Sequence, residues 1–292
     1  MKHMYSYIGI SRQGLWVWRQ RVDRIAEMEA QVLMLIEQIR KDHSRMGLRK
    51  IWEWMRPQAI GRDRFIELGV ANGLGIAHRR SGKRTTWSGS GRFPNRIAGL
   101  ELTHVNQVWV SDISYVYVGD GFGYFTVIMD LYSRRVLSGI ASDSLHTELT
   151  SEAALRQALK VRGIPNYEQA LIIHSDGGGQ YYSQSFRQVT GRYGLVNSMG
   201  KTVYENAAGE RVIGILKLEY LLEARYQNVK HLQQRLDKTL WLYNHERPHG
   251  SLPSGLSPVE FEQALAGWPE QDHPIYQTSS YQWEPGSGKP SR

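Results

Sequence analysis

From Val108 the chain stops reading as helix and reads as sheet. Three runs, Val108–Val118, Tyr124–Leu131 and Val136–Ala141, are apolar, β-branched or aromatic, and only short turns separate them. Gly119-Asp120-Gly121 closes the first two as a hairpin, and Ser133-Arg134-Arg135 leads into the third. Thr147–Val161 then places Leu149, Ala153, Leu155 and Leu159 on one apolar helical side. Ala170–His174 is a short apolar strand of the kind buried on both faces, Ser183–Tyr193 is helical, and Leu195–Met199 is a further strand. Three meandering strands, a crossover helix and further strands and helices define an α/β class: a mixed five-stranded sheet flanked by helices.

What precedes this core differs in charge and period. Residues 1–100 carry 19 Lys and Arg against 8 Asp and Glu, whereas residues 101–292 carry 17 against 20. A basic arm beside a slightly acidic body points to a polyanion partner, a nucleic acid, over the alternative of a basic surface that binds nothing specific. Ile8–Arg21 reads as a turn, a Ser11 N-cap and a short basic helix, like the second half of a helix-turn-helix. A separate helix is expected over Arg24–Lys41, where Ile25, Met28, Val32, Leu35, Ile36 and Ile39 recur at helical spacing. A further helix–turn–helix unit is expected with Met46-Gly47-Leu48-Arg49-Lys50 entering one helix and Asp63–Leu68 forming the next. Plain bundle packing with solvated arginines is the alternative, and Trp52 and Trp54 fit core packing better than base stacking. Residues 78–98 hold six Lys and Arg and no acid, a basic flexible linker in which Arg79, Arg80, Lys83 and Arg84 can lie along phosphates. The expected organisation is 1–77 helical and DNA-binding, 78–103 linker, 104–225 catalytic core, 226–266 helical extension, and 267–292 a poorly ordered Pro/Gly/Ser/Gln-rich tail.

Composition narrows the chemistry. There is no cysteine, so disulfides, thiolate zinc sites and cysteine nucleophiles are all excluded. No apolar run approaches the roughly 18–20 residues that span a bilayer. With no apolar signal core at the N-terminus, the expected location is cytoplasmic.

Three acids remain. By strand parity Asp112 shares a face with Val108, Val110 and Ser114, where an unpaired carboxylate is costly unless coordinated. Asp176 follows Leu171-Ile172-Ile173 at a strand end and precedes Gly177-Gly178-Gly179, which leaves the backbone bare for a ligand. On a helix at about 100° per residue, Asn206, Gly214, Lys217 and Leu221 fall within about 40° of Glu210, opposite Ala208, Val212, Ile215 and Leu222. Asn206, Glu210 and Lys217 are thus expected on one presented face, suited to a metal and a phosphate. Three oxygen-donor acids favour two Mg²⁺ ions, with Mn²⁺ as a substitute, in phosphodiester chemistry. A paired-carboxylate glycosidase fits poorly with the basic arm and leaves the third acid unexplained.

In their order these motifs resemble the integrase-core transposases of the IS-three group of bacterial insertion sequences. Trp109–Tyr115 is similar to that family's first-aspartate strand, His174–Tyr181 to its second-aspartate motif, Asn206–Arg211 with Leu216–Glu219 to its glutamate helix, and Tyr243–His249 with Leu256-Ser257-Pro258 to its closing motif. The resemblance implies an RNase H-like fold with Asp112, Asp176 and Glu210 as catalytic, metal-holding residues. It also implies cleavage of a DNA strand by water, and attack of the freed 3′-hydroxyl on another strand. The Arg45-Met46-Gly47 region resembles the family's helical DNA-binding segment. Family members work as homo-oligomers on DNA and are often fused to an upstream reading frame, of which this chain is expected to be the downstream product. Gly177, Gly179, Glu205 and Gly209 depart from the commoner residues. Two rival readings remain: a decayed transposase that only binds DNA, and an RNase H-like nuclease.

His245-Glu246-Arg247-Pro248-His249 formally matches a zinc-protease motif. That motif needs a continuous helix, which Pro248 interrupts. His174 is either an assistant to Asp176 or a packed histidine.

Overall fold

The computed structural model describes residues 9, 11–77, 93–163, 170–201, 203–221 and 224–278, and the chain divides into two units, Met1–Arg80 and Ser81–Arg292. In the first, helix α1 (Arg12–Asp42) starts at Ser11, whose hydroxyl accepts the Gly14 amide at 2.9 Å. The two helices expected here are one, because Val22 and Asp23 join them with neither proline nor glycine to break the ladder. Helices α2 (Leu48–Met55) and α3 (Arg62–Ala71) pack on the C-terminal half of α1 around Ile36, Met46, Ile51 and Phe65. Arg64 of α3 reaches Glu29 of α1 at 2.6 Å. Trp52 and Trp54 pack against this core, and Trp52 Nε1 donates to the Ile60 carbonyl.

In the second unit, a short strand β1 (Glu101–Leu102) precedes the meander β2 (Val108–Val118), β3 (Gly121–Asp130) and β4 (Val136–Ser142). Helix α4 (Ser151–Arg162) crosses to β5 (Ile172–Ser175), and α5 (Gly179–Tyr182) and α6 (Gln184–Arg192) lead to β6 (Val196–Met199). Helix α7 (Ala207–Leu216) continues as a single π-helical turn, Lys217–Leu221. Helix α8 (Val229–His245), helix α9 (Pro258–Leu265) and strand β7 (Tyr276–Gln277) complete the unit.

The sheet order is β4-β3-β2-β5-β6, antiparallel through the meander and parallel from β2 to β6. This is the expected mixed five-stranded, helix-flanked, RNase H-like arrangement. Alternation divides the core. Val108 and Val110 pack with Val212, Leu216, Leu232 and Leu236, whereas Trp109 packs with Leu155, Ala158, Ile173 and Phe186. Each fully buried side chain of this size contributes roughly 1.5–3 kcal/mol. Leu149, expected on the buried side of the crossover helix, is exposed, because a 3₁₀ turn at Thr147–Leu149 offsets it from α4. Parallel pairing of β2 with β5 covers only Val108–Val110, so the strand runs on past its partner just before Asp112.

Two boundaries differ from expectation. Of the linker, residues 78–92, with Arg79, Arg80, Lys83 and Arg84, lie outside the described residues. From Phe93 onward the segment belongs to the second unit, with Ile97 buried, the Arg96 amide on Ser198 Oγ and the Asn95 amide group on Glu205 Oε2. The segment expected to be a loose tail is folded as far as Thr278. Strand β7 pairs antiparallel with β1, Tyr276 packs edge-on against Tyr132 at 5.4 Å, and Thr278 Oγ1 donates to the Leu100 carbonyl. A two-residue strand leaves no period to read in a Pro- and Gln-rich sequence. Among the described residues no helix is long and apolar enough to cross a membrane.

Candidate active site

Asp112 is half-buried on β2, where its Oδ1 accepts the amide of Ile113 at 2.9 Å. Burial raises its pKa to about 8, and the charges of Asp176 and then Glu210 push in the same direction. Asp112 is therefore set in the fields of two acids far from it in sequence. Asp176 follows the last residue of β5, and its Oδ1 accepts the Gly178 amide at 3.0 Å. A Cβ on Gly178 would lie 2.9 Å from that oxygen, so this glycine lets the carboxylate fold back over the turn. Burial raises Asp176 as well. Among the described residues neither aspartate is paired with a lysine or arginine.

Glu210 lies in the first turn of α7, exposed. Among the described residues no three His, Asp or Glu side chains form a preassembled metal cage. Asp112 and Asp176 form the more strongly coupled pair, and Glu210 adds the weaker field. Half-buried carboxylates with no cationic side chain beside them suit a hard divalent cation, which takes oxygen donors. The residues present fit Mg²⁺ or Mn²⁺.

The helical projection needs two corrections. Asn206 is not presented to a ligand: it is buried, and its Nδ2 donates to the Ser111 carbonyl at 3.1 Å. Lys217 lies beyond the α-helix, in the π turn, where the 100° projection no longer holds. Its Nζ nevertheless sits 3.4 Å from Ser114 Oγ and 4.4 Å from the Tyr115 ring centroid, two to three residues along β2 from Asp112. The buried face of α7 is Gly209, Val212, Ile213 and Leu216, turned from the expected one.

Supporting contacts surround the acids. Ser111 Oγ donates to the Val127 carbonyl and meets Tyr181 OH at 2.9 Å, tying α5 to β2. His174 is the packed alternative: buried between Ser198 Oγ and the Glu205 carbonyl, it has its pKa pulled down to about 4 by desolvation. His245 stacks on Trp241 in the last turn of α8, while His249 lies beyond the helix and contacts Tyr243 OH and Ser251 Oγ, so the zinc-protease pattern has no shared helical face.

In the first unit Arg45 donates to the Ala77 carbonyl, and Arg49 pairs with Glu53 one turn on, its side chain 71% exposed. Lys50 lies on the same helix as Arg49, half-buried. Sequence reasoning missed two features that shape the site. One is the Asn206–Gly209 contact, signalled only by a glycine in an otherwise good helix. The other is the pairing of Arg247 with Glu219, from two motifs far apart in the chain.

Integrase core domain families match residues 103–204 and 194–256. The chain is 30% identical over 272 residues to the insertion element IS600 uncharacterized 31 kDa protein of Shigella sonnei, covering 89% of this chain and 97% of that protein. It is 28% identical over 283 residues to the transposase InsF for insertion sequence IS3A of Escherichia coli K12, covering 90% and 93%. Among solved structures, the HTLV-2 integrase catalytic core domain in complex with magnesium is similar at 23% identity and a TM-score of 0.42, over 59% of this chain and 98% of that one.

Proposed function

Because the chain belongs to the integrase-core transposases of insertion sequences, we propose that it cuts DNA at the ends of such an element and joins them to a target, using Asp112, Asp176 and Glu210 as its catalytic residues. The observation that carries this reading is Asp112: half-buried, without a cationic partner, and set in the fields of Asp176 and Glu210. Asp112 and Asp176 would hold Mg²⁺ or Mn²⁺ between them, and Glu210 would complete the oxygen set from α7. Bound cations of this kind supply activation of an attacking oxygen and stabilisation of the leaving one.

The chain's own groups do the rest. Strand β2 extends past β5 at Val110, leaving Asp112 open to a phosphodiester. Lys217, held beside Ser114 and Tyr115, offers a cation to a phosphate oxygen next to the acids. Water is the first nucleophile and the freed 3′-hydroxyl the second. The first unit, through Arg45, Arg49 and Lys50, and the basic segment holding Arg79, Arg80, Lys83 and Arg84, grips the phosphate backbone. Acting on two ends at once calls for more than one copy of the chain on the DNA.

The test uses the full chain, labelled element-end duplexes and Mg²⁺. Nicking and joining are expected, with both lost in Glu210→Gln. Activity that survives this substitution would remove Glu210 from the chemistry, and a wild type that binds DNA but never nicks it would favour a decayed copy.

A further inference from the structure

A cavity of about 370 Å³ lies along the flank of α7 that carries Ala208, Arg211, Val212 and Ile215 rather than Glu210. Its floor is apolar, including Leu102, Met129 and Val212, and two guanidiniums, Arg134 and Arg211, share its wall. Burial pulls Arg134 below the usual arginine range, and the charge of Arg211 acts on it in the same direction.

Arg134 occupies an unusual backbone position. It follows β3 with φ of 62°, a left-handed conformation that glycine or asparagine adopts more readily. Its guanidinium lies 5.8 Å from the Tyr276 ring centroid. The acids nearest in sequence and space are already engaged. Asp130 accepts the amides of Asn106, Tyr132 and Ser133, and Arg162 approaches it at 3.4 Å. Glu262 holds Arg135 and Arg162. Glu205, the acid of the cavity wall, accepts from Asn95 and from the Lys201 amide. Two arginines over an apolar floor, without a carboxylate committed to Arg134, make a recess for an anion carried on an apolar body.

We infer that this cavity takes a single unpaired nucleotide, with its phosphate on Arg134 and Arg211 and its base on the apolar floor. The choice of a nucleotide among organic anions rests on reading the chain as a DNA-processing enzyme. The recess suits one nucleotide and is too small for a duplex. Ser251, Gln277 and Thr278 also line it and add polar surface beside the apolar floor.

Calorimetric titration of the full chain with thymidine monophosphate, with thymidine, and with duplexes that end blunt or in one unpaired nucleotide tests this. Thymidine monophosphate should bind at least tenfold more tightly than thymidine, and Arg134→Ala and Arg211→Ala should each weaken it tenfold or more. Arg211 is exposed on its helix, so its loss separates binding from folding, and unchanged thermal melting checks both variants. Arginine-dependent preference for the unpaired end without uptake of the free nucleotide places the ligand in a DNA strand. Uptake of the free nucleotide without that preference makes it a free one. No uptake of either, or uptake indifferent to both arginines, overturns the inference. Magnesium-dependent nicking measured on the same preparation separates failure of the cavity from failure of the transposase reading.

Discussion

Asn206 donates to the backbone carbonyl of Ser111, the residue immediately before Asp112, and so fixes the start of the glutamate helix to the aspartate strand. The contact is close because Gly209, three residues on, has no side chain: a Cβ there would lie 2.7 Å from Asn206 Oδ1. Asn206 thereby ties the start of the helix that carries Glu210 to the strand that carries Asp112.

Gly209→Ala tests that relationship through a sign. Helix propensity alone predicts a gain of about 1 kcal/mol. The contact with a buried amide predicts a loss, since Asn206 has to leave Ser111 to make room. We expect the contact to win, with a lower melting temperature and a larger fall in strand joining. In an Asn206→Ala background the same substitution should stabilise, because nothing is left to collide with. A double-mutant cycle by urea unfolding reads both signs; stabilisation in both backgrounds would refute the clash.

Asp112→Asn should abolish nicking and yet stabilise the metal-free protein. An acid whose pKa is raised to about 8 in the fold, against about 4 in the unfolded chain, makes the fold lose stability as pH rises between those values. The asparagine variant lacks this loss, so its melting temperature in chelator should exceed that of the wild type by an amount that grows from pH 5 to about pH 8. Added Mg²⁺ should narrow the gap by stabilising the wild type alone. A gap independent of pH would show that Asp112 is not the group responsible.

Glu262 of α9 gathers Ser133, Arg135 and Arg162 at 2.6–2.9 Å, and joins the C-terminal extension to the β3–β4 turn. Burial opposes ionisation, but the hydrogen bonds from Arg162, Ser133 and Arg135 hold its carboxyl below the usual glutamate range. Its contribution is therefore complete above the ordinary glutamate pKa and is lost as pH falls through the depressed one. Glu262→Ala leaves Arg162, only 10% exposed, without its main partner. The expected loss is on the order of 3 kcal/mol by urea unfolding at neutral pH, shrinking in acid. A neutral-pH loss below about 1 kcal/mol, the scale of a surface pair, would contradict this.

The meander strands were legible because each carries six or more residues with a clear period, and Val108–Val118 is bounded in the structure as the sequence predicts. The two aspartates were legible because strand parity and a strand end place them without knowledge of any distant partner. The glutamate helix was legible only as far as Leu216. Beyond it the π turn rotates Lys217 away from the projected angle, and no propensity signals such a turn. Asn206 read as an exposed polar residue because its partner is a backbone carbonyl ninety-five positions earlier. Such contacts leave no period in the sequence.

Arg247 closes the same turn from the other side. Its Nε and Nη2 each meet a carboxylate oxygen of Glu219 at 2.7 Å, and its side chain is 4% exposed. Glu219 lies in the π turn two residues after Lys217, so the pair ties the closing motif to the lysine that stands beside Ser114. Lysine at 247 keeps the charge but offers one point contact in place of a fork. Arg247→Lys should therefore cost about 2 kcal/mol of stability. It should also lower the rate of joining at saturating DNA more than it weakens DNA binding, because a displaced Lys217 affects the reacting phosphate and not the grip of the first unit. Single-turnover joining and equilibrium binding, measured on one preparation below its melting temperature, separate the two effects. Binding that weakens as much as joining would mean that Arg247 supports the fold and does not position Lys217.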